Sequence, residues 1–216
     1  MPRTSVATDN FNRASLGSDW SQINVNEGSI EIHSSTVIRG ANVLGLSQRQ
    51  AARWVGSGSF TDNQYSSLKI TNIGYWTSNY SIGVMCRASS DTNANRDYYG
   101  FDIAADSSGS TYTTTLYKVV NGSVTTLHAA TVTWAINDYV SLEVEGTTLR
   151  GCKNGSAIGG SFTQTDSALT TGVPGVTGSA SSSAEVTGDD WEGGNITASS
   201  GSSPIATMNR RAGDWF

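Results

Sequence analysis

Charge is scarce in this chain. Only 14% of its 216 residues are Asp, Glu, Lys or Arg, and hydrophobic residues reach just 37%. Both figures lie below globular norms, and Ser, Thr, Asn and Gly fill the gap. So few Lys and Glu argue against long helices, since straight-chain charged residues are among the best helix formers. Basic residues form no stripe, and the sole adjacent pair is Arg210-Arg211. Nucleic-acid binding as the main task is therefore not expected. Cysteine is limited to Cys86 and Cys152, far apart in sequence. They read as buried free thiols, with a cross-strand disulfide as the other option. There is no run of eighteen apolar residues, so no membrane-inserting helix is expected. The opening Met1-Pro2-Arg3-Thr4-Ser5 has no apolar signal-peptide core and leads straight into strand-like sequence.

Aromatic residues are well represented, with six Trp, eight Tyr and five Phe, enough to build a core. The patterning around them has a period of two. Tyr80, Ile82, Val84 and Cys86 share one strand face, with Ser81, Gly83, Met85 and Arg87 on the other. Tyr99, Phe101, Ile103 and Ala105 repeat that pattern, as do Val140, Leu142 and Val144. Thr113 to Val120 is rich in β-branched residues and ends at Asn121-Gly122, a two-residue hairpin signal. Val124 to Val132 reads as the returning strand, and Asn154-Gly155 marks a second such turn after Leu149 to Lys153. Ser47 to Trp54 fits about two helical turns or the entry to a strand. Strands punctuated by turns at roughly eight- to twelve-residue intervals predict an all-β, two-sheet antiparallel sandwich.

Matching acidic–aromatic segments bracket the sandwich: Asp9-Asn10-Phe11-Asn12-Arg13 at one end and Asp189-Asp190-Trp191-Glu192 at the other. With Leu16-Gly17, Trp20, Tyr98-Tyr99-Gly100-Phe101, the Gly146 to Gly155 hairpin and Gly172 to Gly178, they fall in an order that resembles concanavalin A-like (laminin-G-like) jelly-rolls. The resemblance implies a jelly-roll over residues 1–196 whose first and last strands pair side by side. Residues 197–216 form a separate segment. It opens with a Ser/Gly linker and ends in Arg210, Arg211, Trp215 and Phe216, residue types that anchor interfaces.

The chemistry is mostly one of exclusions. Glucanases of the resembled superfamily carry Glu, Asp and Glu on one strand face. Here the nearest counterpart is Glu143-Val144-Glu145, followed by Thr148 where the second Glu belongs. The pair reads as two solvent-facing carboxylates around an inward Val144. No catalytic residue and no enzymatic activity is expected. Neither a Gly-x-Ser-x-Gly elbow nor a phosphate-cradling loop occurs. His33 and His128 lack zinc-ligand spacing and read as strand residues facing water. No cofactor is expected, although the resemblance admits Ca2+ near the terminal strands, with Asp9 and Asp190 as its candidates.

Two functions follow. The first is a non-enzymatic structural protein of a virus (phage) particle, such as a capsid decoration or tail-associated protein. It would be made without a signal peptide, found in the virion, and docked through its tail onto other virion proteins or copies of itself. The second is a carbohydrate-binding adhesion or receptor-binding module, extracellular, with cell-surface glycans as partners. For it, Trp76 and Tyr98 are the aromatic candidates.

Overall fold

The structure is a computed structural model and describes residues 2–23, 28–40, 49–73, 80–89, 95–105, 112–179 and 186–197. Two antiparallel sheets stack face to face. Sheet A has β13 (Ser156–Ala157), β12 (Thr148–Lys153), β11 (Tyr139–Glu145), β6 (Gln64–Ile73), β16 (Val186–Ile196), β4 (Val37–Gly40) and β3 (Ile30–His33) in that spatial order. Two further strands join it: β1 (Arg3–Asp9) pairs with β16, and β14 (Thr163–Thr165) pairs with β12. Sheet B runs β10 (Ser123–Thr131), β9 (Tyr112–Val120), β8 (Tyr98–Ala105), β7 (Tyr80–Ala88), β15 (Val173–Ser179), β5 (Gln50–Trp54) and β2 (Trp20–Gln22).

The period-two pattern decides which side chains face inward. Tyr80, Ile82, Val84 and Cys86 of β7, Tyr99, Phe101 and Ile103 of β8, and Val140, Leu142 and Val144 of β11 all join one core between the sheets. Asn121 and Gly122 have φ of 48° and 72°, the left-handed pair that a tight hairpin between β9 and β10 requires. Asn154 and Gly155 repeat it at 51° and 75°. Gln50–Trp54 is a strand, which settles the part of the Ser47–Trp54 segment that is described.

The terminal strands meet as the bracketing segments imply. β1 pairs with β16, and Asp9 stands opposite Trp191. Beneath that seam lies an aromatic nest. Trp20 contacts Trp54 at 5.3 Å, Trp191 at 4.8 Å and Phe11 at 5.7 Å between ring centroids, and Trp54 stacks on Trp191 at 5.3 Å. Each buried indole contributes on the order of 4 kcal/mol of gross burial energy. Both thiols are buried and form no disulfide: Cys86 lies in the inter-sheet core, and Cys152 sits on β12 outside it.

Candidate functional site

A cleft of about 470 Å³ opens beside the seam of the terminal strands, lined by Thr8, Asp9, Asn10, Tyr139, Asp190, Trp191 and Glu192. Its shape comes from a β-bulge. On β16, Asp189 pairs with Lys69 and Glu192 with Ser67, so Asp190 and Trp191 share one position opposite Leu68 of β6. Asp190 takes φ 46° to accommodate the extra residue. The kink turns the Trp191 ring into the core, where it is 1% exposed, and leaves Asp190 and Glu192 at the cleft wall. Phe11, just past the end of β1, also has a left-handed φ of 51°. Two non-glycine residues held there beside one cleft are the kind of backbone strain that accompanies ligand sites.

The polar groups around the cleft differ in how far they are already satisfied. Asp9 is saturated: Arg13 donates to both its oxygens at 2.6 and 2.5 Å, Trp20 Nε1 donates at 2.7 Å and the Phe11 N–H at 2.8 Å. Burial pushes its carboxyl up, but the bonds from Arg13, Trp20 and Phe11 and the charge of Arg13 hold it below its ordinary value. Lys69 donates to Asp190 at 3.1 Å. Glu192 accepts from the Tyr65 hydroxyl, whose own proton is held more tightly through burial and the Glu192 carboxylate. Across the opening stands Tyr139, the first residue of β11, with 37% of its surface exposed.

As calcium candidates, Asp9 and Asp190 do line one cleft. Asp9 has no oxygen to spare for a cation, and no group of three His, Cys, Asp or Glu among the described residues is placed to hold a metal.

The outer face of sheet B holds a second polar constellation, and it is closed. Asp102 of β8 is 2% exposed. It accepts from Thr177 Oγ1 at 2.5 Å, from the Tyr117 hydroxyl at 3.1 and 3.0 Å and from Arg49 Nε at 3.1 Å. The Arg49 guanidinium lies 4.1 Å above the Tyr117 ring. Glycines make the space: a Cβ on Gly83 would come within 2.5 Å of Asp102 Oδ1, and one on Gly100 would overlap the Tyr117 ring. A small apolar cluster of Ile23, Ala51, Met85, Ala88, Tyr98, Tyr117 and Val119 surrounds this network.

That cluster corrects one sequence expectation. Tyr98 is a buried member of it, 0% exposed and edge-on to Tyr117 at 6.1 Å, so its ring offers no face to a sugar. Trp76, Arg210, Arg211, Trp215 and Phe216 lie outside the described residues. Glu143 departs from expectation too. It is 4% exposed rather than solvent-facing, because Arg3 reaches from β1 to bond it at 2.8 Å. Glu145 pairs with Arg150 at 3.3 Å, and Val144 between them points inward as expected. His128 is half-buried against the edge of Phe162, at 4.6 Å. Tyr139 was not among the sequence candidates. Its signal was present, since inward Val140, Leu142 and Val144 place the residue before Val140 on the outer face.

Two stacked antiparallel sheets closed by pairing of the first and last strands define a concanavalin A-like jelly-roll, and solved structures share it. The carbohydrate-binding module CBM66 from Bacillus subtilis matches at 15% identity and a TM-score of 0.52, over 83% of this chain and 99% of that one. A Bacillus subtilis protein of unknown function with a galectin-like fold matches at 11% and 0.58, over 90% and 98%. The Bacillus licheniformis β-glucanase matches at 11% and 0.51, over 90% and 99%. At these identities the likeness is one of fold. No family model and no curated protein matches the sequence.

Proposed function

We propose that this jelly-roll is a non-catalytic carbohydrate-binding module that seats a sugar in the cleft between Tyr139 and the β16 bulge. The observation that carries the reading is the exposed Tyr139 ring standing across an open cleft from Asp190 and Glu192. A pyranose offers an apolar ring face and a rim of hydroxyls. Tyr139 meets the first with a rigid amphipathic surface, and the carboxylates accept from the second. The cleft volume lies within the range of small-ligand pockets, which combine such surfaces with a few convergent polar groups.

Hydrolysis is not part of the proposal. Glycosidic cleavage uses two carboxyl groups flanking the scissile bond. Among the described strands of sheet B, Asp102 is the one acidic residue, and its oxygens are occupied by Tyr117, Thr177 and Arg49. On sheet A, Glu143 is buried with Arg3, and at the cleft Asp9 is taken up by Arg13, Asp190 by Lys69 and Glu192 by the Tyr65 hydroxyl. The carbohydrate-linked neighbours of the fold favour this reading over the virion role, which draws no support from them. An extracellular location accompanies it.

The test is a glycan array followed by calorimetry on the hits. Tyr139→Ala is expected to weaken binding at least tenfold while the thermal midpoint stays within a few degrees, with no sugar product released by either protein. An array without reproducible hits, or a Tyr139→Ala protein that binds unchanged, would overturn the assignment.

A further inference from the structure

We infer that the cleft selects by charge, preferring sugars that carry a protonated amine over neutral sugars and rejecting those that carry a carboxylate. This rests on the glycan-binding reading and names the ligand class for the same site. The carboxylates at the cleft are not equivalent. Asp9 has Arg13 as its cation and Asp190 has Lys69. Glu192 has the neutral Tyr65 hydroxyl, and no cation pairs with it among the described residues. Among the described residues neither Lys nor Arg lines the cleft; Lys69, opposite Tyr139 on β6, is held by Asp190. Next along β16 is Asp189, whose carboxyl is pushed above its ordinary value by burial and by the Asp190 charge beside it. Burial is the larger cause, and the charge of Asp190 adds to it while Lys69 offsets part of it.

An ammonium group entering this cleft supplies the charge that Glu192 lacks. The face of Tyr139 favours the same cation, because an aromatic ring carries partial negative charge over its plane. A uronate would bring a further anion against Glu192 and Asp190, and Lys69, the basic side chain opposite Tyr139, is already paired with Asp190. A neutral sugar keeps the ring contact and hydroxyl bonds and gains nothing from the field. Since the cleft is open, the discrimination is screened by salt.

The experiment compares a glucosamine tetramer, a glucose tetramer and a galacturonate tetramer by calorimetry at low and high salt, at a pH where the amines are protonated. The expected order is amine, then neutral, then acid, with the first two separated by roughly tenfold, the scale of a pair worth about 1.4 kcal/mol. High salt should compress the gap. Glu192→Gln keeps an acceptor for the Tyr65 hydroxyl, so it should fold normally and lose most of the amine preference, the amine tetramer weakening far more than the neutral one. Binding of the neutral tetramer, lost in Tyr139→Ala, with no preference for the amine would overturn the charge inference and leave the sugar site standing. Galacturonate binding as tightly as glucosamine would do the same. No binding by any of the three in wild type, or binding indifferent to Tyr139→Ala, would overturn both.

Discussion

Asp102 offers the sharpest test of what the outer face of sheet B is for. Its carboxylate is the shared acceptor of Thr177, Tyr117 and Arg49, and Asp102 and all but Arg49 of these are fully buried. Asp102→Ala would leave two buried hydroxyls without their acceptor. At about 1.5 kcal/mol for each stranded polar group, the loss is about 3 kcal/mol. Arg49 adds little, because its side chain is 30% exposed and rehydrates once its partner is gone. Asp102→Asn keeps an acceptor for Thr177 and a group that can exchange a hydrogen bond with Tyr117. It should cost only about 1 kcal/mol. For a chain of this size the alanine variant should melt about 6–12 °C below wild type. Urea denaturation followed by tryptophan fluorescence gives the free energies directly. A cycle with Tyr117→Phe should show a coupling of about 1 kcal/mol, the share of that one bond. An alanine variant within about 0.5 kcal/mol of wild type, or an asparagine variant as damaging as alanine, would refute the hydrogen-bond argument and mean that water or Arg49 rearranges to satisfy the site.

Two further perturbations test the packing and the seam. Gly100→Ala puts a methyl into the Tyr117 ring, which is buried and tied to Asp102 and cannot step aside, so a loss of about 2 kcal/mol in urea is expected; a neutral result would mean the sheet flexes there. Asp9 and Asp189 should respond to pH with opposite signs. Asp9 is held below its ordinary value of 3.8, so its contribution is complete above that pH and is lost as acid carries it through its lower folded value. Asp189 is held above 3.8, so its ionisation costs stability, and the cost appears as pH rises past 3.8. Asp9→Asn should therefore flatten the acid limb of the urea midpoint against pH, and Asp189→Asn should raise the midpoint at neutral pH. Parallel profiles for both variants and wild type would contradict the assignment.

What could be read from the sequence was whatever depended on neighbours along the chain. The alternation in β7, β8 and β11 predicted the core faces, and Asn121-Gly122 and Asn154-Gly155 predicted their turns, because each signal lies within a few residues. The pairing of β1 with β16 was legible only because the Asp-plus-aromatic pattern occurs at both ends. Long-range partners were not legible. Glu143 looked solvent-facing because Arg3, which buries it, lies 140 residues away. Tyr98 looked like an aromatic open to a sugar. Nothing nearby announces that sheet B carries a second apolar cluster on its outer face, roofed over Gly83 and Gly100. The bulge at Asp190 is equally silent, since Asp189-Asp190-Trp191-Glu192 reads as plain strand until β6 is laid beside it.

The two outer faces explain why only one of them is assigned to ligand. Sheet B places a single carboxylate on its described strands and spends it on Thr177, Tyr117 and Arg49, a closed arrangement that leaves this carboxylate buried. Sheet A carries Asp9, Glu31, Glu143, Glu145, Asp189, Asp190 and Glu192. Most of these are paired with a cation: Asp9 with Arg13, Glu31 with Arg39, Glu143 with Arg3, Glu145 with Arg150 and Asp190 with Lys69. Among the described residues Glu192 and Asp189 form no salt bridge, though Lys69 also acts on Asp189, and both lie at the bulged stretch of β16. The described strand carboxylates without a salt bridge therefore sit together on the β16 bulge, at the cleft that Tyr139 faces. An external partner that brings hydroxyls or an ammonium group completes that balance, whereas on the face of sheet B it would have to displace bonds already made.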